Sequence, residues 1–158
     1  LFHDFVLPVS SPENTRRTAK LARRVRLEGF PLLHLDFYRN DPAATSWPRW
    51  IEANKLRRTA PERGIRHQRI VPALEAIAAD AGVALCGIAL IGEMIDDGRM
   101  VMPFPIETGV RTSHAFQARF RAEAVVRPQA RRFRQWLLAE AANTRAWMTR
   151  LTGKKAWT

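Results

Sequence analysis

Between Gly64 and Phe104 the chain reads GIRHQRIVPALEAIAADAGVALCGIALIGEMIDDGRMVMPF, a run that leaves few folds open. Residues 65–70 form a strand-like segment, and Pro72 is placed to start a helix. In that helix Leu74, Ile77, Ala78 and Ala81 recur at helical spacing, and Gly82 offers a left-handed stop. Residues 83–86, Val-Ala-Leu-Cys, are continuously apolar, as expected of a strand covered on both faces. A second helix is expected over 88–96, with Leu90, Ile91, Met94 and Ile95 turned inward and Gly98 closing it. Met100 to Met102 would form the next strand, ended by Pro103. Alternation of strands and helices at this spacing predicts an α/β domain with right-handed crossovers and a mainly parallel sheet.

The flanking sequence leads into this unit and returns from it. Phe2 to Val9 is apolar enough for a buried or crossing strand, which Ser10, Ser11 and Pro12 end. Six basic residues follow, from Arg16 to Arg26, around Ala19, Leu21, Ala22 and Val25. The segment reads as one cationic helix, either a solvated surface or a nucleic-acid contact. Gly29 and Pro31 close it. Leu32, Leu33 and Leu35 make a short strand before a polar loop over 36–45. Ser46 can cap a helix carrying Pro48 in its first turn, which puts Trp47, Trp50 and Ile51 on one face. Residues 55–63 read as a basic loop, 105–113 as a polar hinge and 114–120 as a weak strand interrupted by Gln117 and Arg119. Pro128 opens the last helix. Along it Phe133, Trp136, Leu137, Ala141, Thr144, Trp147, Met148 and Leu151 hold the 3.6 period, which predicts one buried stripe with arginines outward. The closing GKKAWT is expected to fray.

Length and charge bound the function. With 158 residues and a hydrophobic fraction of 46%, the chain suits one domain or two small lobes sharing a hinge. A net charge of +11 and a pI near 11.4 favour anionic company without naming it. Cys86 is the only cysteine, so an internal disulfide and a cysteine-based zinc cluster are excluded. That usage fits a reducing compartment, the cytoplasm by default. No apolar run approaches the ~20 residues of a membrane helix, and the first residues lack the pattern of a secretion signal. The start at Leu1, directly into a strand-like run, suggests a piece of something longer.

Chemistry-bearing motifs are sparse. His3, His34, His67 and His114 are too dispersed for a local metal motif, and no GxSxG, Walker loop or GxGxxG occurs. Asp96 and Asp97 precede a helix-ending glycine and read as turn residues. No catalytic residue, metal site or cofactor is expected. A binding site has better support, because ligands of open α/β sheets sit beyond the carboxyl ends of strands, where helix N-termini favour anions. Here that rim is Gln68, Arg69 and Ile70. Arg69 could meet a carboxylate in a bidentate geometry, or be one surface arginine among many.

Taken in order, FVLPVSSP, FPLLH at 30–34, WPRW at 47–50, the run 64–104 with GVAL, DDGRMV and MPF, and FRQWLLAEA at 133–141 resemble a known family. The chain is similar to the effector-binding domain of LysR-type transcriptional regulators, especially the subgroup of the glycine-cleavage and β-lactamase regulators. The resemblance implies a periplasmic-binding-protein-like (type 2) fold of two α/β lobes, one nearly complete and the other partial. Residues 1–8 would be a crossing strand from the first lobe, 9–104 the second lobe, 105–113 the hinge, 114–151 the return strand and C-terminal helix of the first lobe, and 152–158 a tail. It further implies a non-enzymatic, cytoplasmic protein that binds a small-molecule effector between the lobes and forms homo-oligomers. DNA would be contacted through a winged helix-turn-helix with no counterpart in this chain. The family's polar cleft residues fall on Gln68 and Arg69, with Ile70 beside them. Its aromatic pair on the returning strand falls on Phe116 and Gln117, one aromatic kept and the other an amide. Three positions depart from the pattern: His67 stands for an aromatic, Asp80 for a glycine, and Arg119 for an apolar strand residue.

Overall fold

The computed structural model describes residues 1–36 and 44–153, so most of the loop expected over 36–45, and the tail beyond Gly153, lie outside the described residues. The chain divides into a larger unit, Phe5–Thr112, and a smaller one made of Leu1–Asp4 and Ser113–Thr158. Strands β1 (Phe2–Val9) and β5 (Val110–Phe116) each contribute residues to both.

In the larger unit β1 is followed by α1 (Pro12–Ala19), β2 (Leu32–Leu35), α2 (Trp47–Ala53), β3 (Ile65–His67), α3 (Ile70–Ala78), β4 (Val83–Gly87) and α4 (Gly92–Asp96). The strands are hydrogen-bonded in the order β3-β2-β4-β1-β5. β2 runs parallel to β3 and β4, with Leu33 opposite both Ile65 and Ala84, because a helical connection returns the chain to the same end before each new strand. β1 runs antiparallel to β4, Leu7 opposite Cys86. The sheet is therefore mixed rather than mainly parallel. The strand expected over 100–102 reduces to one bridge between Ser10 and Val101.

Alternation along β2 and β4 builds two cores. Leu32, Val83 and Leu85 pack on one face with Leu27, Trp47, Trp50, Ile51 and Phe104. Leu33, Ala84 and Cys86 pack on the other with Val9, Ile77, Ile91 and Met100. Both faces of β4 are thus covered, as its apolar run implied, and Cys86 is a buried core residue. The two α2 tryptophans meet edge to face at 5.8 Å, and Trp50 meets Phe104 at 5.1 Å. Their indole N–H groups are satisfied by carbonyls, Trp47 donating to Leu33 at 3.0 Å and Trp50 to Thr108 at 2.7 Å.

Close backbone approach explains two glycines beside β2. A Cβ at Gly64 would lie 2.0 Å from the Leu32 carbonyl oxygen, and one at Gly82 would lie 2.5 Å from that of Pro31. Gly82 is therefore not the left-handed stop expected of it. That conformation falls on Asp80, with φ 61°. Ser11 and Asn14 hold Asp80 there: the Ser11 hydroxyl donates to its carboxylate, and the Asn14 amide donates to its carbonyl at 2.9 Å.

Several element boundaries also differ from expectation. The basic stretch 16–26 is not one helix. α1 starts earlier, at Pro12, because the Ser11 hydroxyl accepts from the Asn14 N–H as an N-cap. It ends before Lys20, and a separate 3-10 turn at Arg23–Val25 follows, which brings Leu27 to the core. Ser46 occupies the cap position of α2 but its side chain makes no capping bond. The helix expected over 88–96 is a 3-10 turn, Ile88–Leu90, followed by α4. Ile91, with φ −125°, breaks the two apart and leaves Leu90 exposed.

In the smaller unit, β5 begins in the stretch expected to be a polar hinge and stops at Phe116, so Arg119 lies beyond it. A short α5 (Ala122–Val125) precedes α6 (Pro128–Thr152), a helix of 25 residues opened by the expected proline. Only part of its apolar stripe is covered. Ala141, Met148 and Thr152 are buried, whereas Phe133 and Trp136 are 52% and 56% exposed.

Candidate functional site

The turn between β3 and α3 is built from a short edge strand feeding a helix. β3 ends at His67, three residues earlier than its apolar pattern suggests, because Ile70 is drawn into the first turn of α3 and packs against the second core. Pro72, expected to start the helix, sits two residues inside it. Its missing N–H falls where an intrahelical partner would be lacking in any case.

Gln68 and Arg69 are left between the two elements, both exposed. Arg69 is the N-cap of α3, in extended conformation with φ −131° and ψ 144°, and its side chain makes no capping bond. No acidic residue lies in the first turn. The backbone N–H groups of Ile70 and Val71 therefore begin the helix without a side-chain acceptor, next to an arginine that has no ion pair among the described residues. Arg66, three residues earlier, is differently placed. Its guanidinium donates to both carboxylate oxygens of Asp36, each at 3.0 Å, and to the Glu62 carbonyl at 3.2 Å. Arg66 fixes the edge strand to the end of β2, and Arg69 is left available. His67, between them, has a buried Nε2 with no hydrogen-bond partner among the described residues.

Gln68, Arg69 and Ile70 are thus adjacent in the larger unit, with Ile70 serving the core and the two polar residues facing solvent. The other two expected contacts lie in the smaller unit. Phe116 ends β5, half-buried, its ring 5.2 Å from that of Phe2. Gln117 follows the strand and lines an open hollow of about 350 Å³ with Phe120, Arg134, Leu137 and Leu138. That Arg134 lines this hollow was not legible, since the 3.6 period marks the arginines of α6 only as outward-facing. Nothing in the spacing shows that residues 117–120 fold back beside them.

The basic stretch 16–26 is partly engaged within the larger unit. Arg16 pairs with Glu13 at 2.6 Å, and Arg17 bonds to Asn14 and covers the Phe30 ring. Arg26 donates to the Pro103 carbonyl at 2.9 Å and lies 5.6 Å from the Phe104 ring centre. Among the described residues no group of three or more His, Cys, Asp or Glu is placed to hold a metal ion, and no helix is long and apolar enough to cross a membrane.

No protein-family model matches the chain, and no curated protein matches it. Solved structures do. The effector domain of the transcriptional regulator AmpR of Pseudomonas aeruginosa is 29% identical, with a TM-score of 0.66, over 96% of this chain and 67% of that one. The AmpR effector-binding domain from Citrobacter freundii is 22% identical, with a TM-score of 0.62, over 90% of this chain and 66% of that one. The regulatory domain of CrgA, a LysR-type transcriptional regulator from Neisseria meningitidis, is 17% identical, with a TM-score of 0.59, over 89% and 66%. The chain thus spans about two thirds of the length of these domains. These neighbours are effector-binding domains of LysR-type regulators, and the chain has their α/β, periplasmic-binding-protein-like type 2 fold, as the sequence resemblance implied.

Proposed function

We propose that this chain is the effector-sensing and oligomerising portion of a LysR-type, DNA-binding transcriptional regulator, cytoplasmic and non-enzymatic, and that its ligand is a small metabolite carrying a carboxylate. The observation that carries the reading is the likeness to the AmpR effector domain along almost the whole chain. Gln68 and Arg69, with Ile70 behind them, would supply contacts from the larger unit. The local chemistry supports an anion at Arg69, where an unpaired guanidinium stands beside helix N–H groups that no side chain caps. A ligand held there changes the output of a regulator only by binding one arrangement of the protein better than another. DNA would be contacted by a winged helix-turn-helix outside this sequence.

The test is thermal unfolding of the protein, wild type and Arg69→Ala, against a panel of small carboxylates and matched neutral metabolites. A carboxylate that raises Tm in the wild type should bind the variant about tenfold or more weakly, the loss expected for one charged hydrogen-bonding partner. Equal stabilisation of both proteins would remove Arg69 from the site. Stabilisation by the neutral compounds alone would remove the carboxylate.

A further inference from the structure

The basic stretch 16–26 separates into arginines that are occupied and arginines that are not. Arg16, Arg17 and Arg26 are held by Glu13, Asn14 and the Pro103 carbonyl. Arg23 and Arg24, in the 3-10 turn, are exposed and have no ion pair among the described residues. A second basic segment is pinned beside them. The Arg57 N–H donates to the Arg24 carbonyl at 2.7 Å, the Arg58 guanidinium to the Phe30 carbonyl at 3.0 Å, and the Thr59 N–H to the Glu28 carboxylate at 3.0 Å. Lys55, with φ 54°, turns this loop out of α2, and Leu56 packs against the first core. Lys55 and Arg57 are left exposed, again with no ion pair among the described residues.

Four cations thus stand on two chain segments joined by a backbone hydrogen bond, although like charges so placed repel. Glu28, fixed between the segments, is taken by Arg58 and Thr59, and Glu52, just before Lys55 in the chain, offsets one charge at most. The backbone bonds hold the patch together without an anion, so an anion that arrives finds it formed. Its composition says which anion. A protein partner would look for an apolar or aromatic centre. Within residues 20–24 and 55–57, Leu21, at 36%, is the one large apolar side chain exposed. Arginine forks match phosphate oxygens in pairs. Neither segment is a helix long enough to enter a major groove, which leaves backbone phosphate as the group recognised.

We infer that Arg23, Arg24, Lys55 and Arg57 form a contact surface for the phosphate backbone of duplex DNA, engaged without regard to base sequence. The inference rests on the regulator reading proposed above only in its choice of polyanion, since a DNA-binding regulator brings duplex DNA within reach. The surface itself stands on the charge and backbone geometry of the larger unit. Such a contact adds affinity and no specificity, and it holds the effector portion against DNA whose sequence is read elsewhere.

The experiment measures fluorescence anisotropy of short labelled duplexes of unrelated sequence with the full chain, from about 50 to 200 mM salt. A patch variant, Arg23→Gln, Arg24→Gln, Arg57→Gln, keeps the side-chain stems and the backbone bond. A control, Arg131→Gln, Arg132→Gln, Arg134→Gln, removes the same charge from α6, and circular dichroism checks the fold of both. For the wild type, log affinity should fall against log salt with a slope of about −3.6, roughly −0.9 for each of four phosphates, whatever the sequence. The patch variant should flatten the slope to about −1 and lose tenfold or more in affinity at the lowest salt, and the control should lose less than about threefold. Should the patch variant lose its fold, Arg57→Gln alone carries the test, with a slope shallower by about one. Equal losses in patch variant and control overturn the inference, as do an unchanged slope, a tenfold preference for one duplex, or no duplex binding at the lowest salt. Absent duplex binding together with patch-dependent binding of polyglutamate overturns it and gives the surface to an acidic protein. None of these readings uses effector or Arg69, so an absent thermal shift with every metabolite would count against the proposed function alone.

Discussion

Two helices of this protein carry aromatic pairs at the same spacing, and the pairs have opposite fates. Trp47 and Trp50 on α2 are each 1% exposed, meet edge to face, and find carbonyl acceptors for both indoles. Phe133 and Trp136 on α6 stack with more than half of each surface in water. An i, i+3 spacing puts two side chains on one face of a helix, but it says nothing of what covers that face. In the larger unit β2 and β4, lined on both sides, provide the cover. In the smaller unit the strand ends and the short α5 leave this part of α6 open.

The widest separation between the two regions should appear on truncation. Trp50→Ala removes a fully buried ring and leaves the Thr108 carbonyl only the longer bond from the Asn54 amide at 3.3 Å, and should cost about 3–5 kcal/mol in urea unfolding. Trp136→Ala should cost below about 1 kcal/mol, the value of a surface stacking contact. Equal costs would break the comparison by showing α6 to be covered in solution.

A smaller effect sharpens the description of the larger unit as fully packed. Gly82→Ala directs a methyl at the Pro31 carbonyl oxygen, backbone that cannot swing aside, and should destabilise by about 1–3 kcal/mol with no loss of helix content. Tolerance of alanine there would mean that the approach of β4 to β2 can loosen without cost.

The smallest effect lies at the outer layer of that unit. The Glu28 carboxylate accepts from the Thr59 N–H at 3.0 Å and pairs with Arg58, and the Thr59 bond first, then Arg58, holds its pKa below the usual 4.5. A depressed carboxylate stabilises above its unfolded pKa, and the contribution is lost as pH falls through the folded value. Exchange of the Thr59 amide, corrected for its intrinsic pH dependence, should therefore speed up as pH drops below the ordinary glutamate range, and Glu28→Gln should flatten the change. A pH-independent Thr59 in the wild type would show the tether to be idle.

Legibility in the sequence follows the same division. The strands of the larger unit could be read because their apolar runs are short, bounded and matched to two covered faces. The exact ends of helices could not, because capping geometry decides them. Ser11 was read as a strand breaker and is the cap of α1; Pro72 was read as a first residue and is the third. Residue type points to Gly82 for the left-handed turn, whereas Asp80 is held in that conformation by Ser11 and Asn14, partners 69 and 66 positions distant. Of the candidate site, the adjacency of Gln68 and Arg69 was legible because it is local. The difference between Arg66 and Arg69 was not, because it depends on where Asp36 falls at the end of the neighbouring strand. The exposure of Phe133 and Trp136 was misread for the reason drawn above.

The solitary thiol of Cys86 sits in β4, 1% exposed, at the centre of the sheet. A reagent can reach it only when the core packed over that face of β4 opens, and no other cysteine competes for the label. The protein thus carries a built-in chronometer of core opening, and the pace at which the thiol is consumed counts how often the larger unit comes apart.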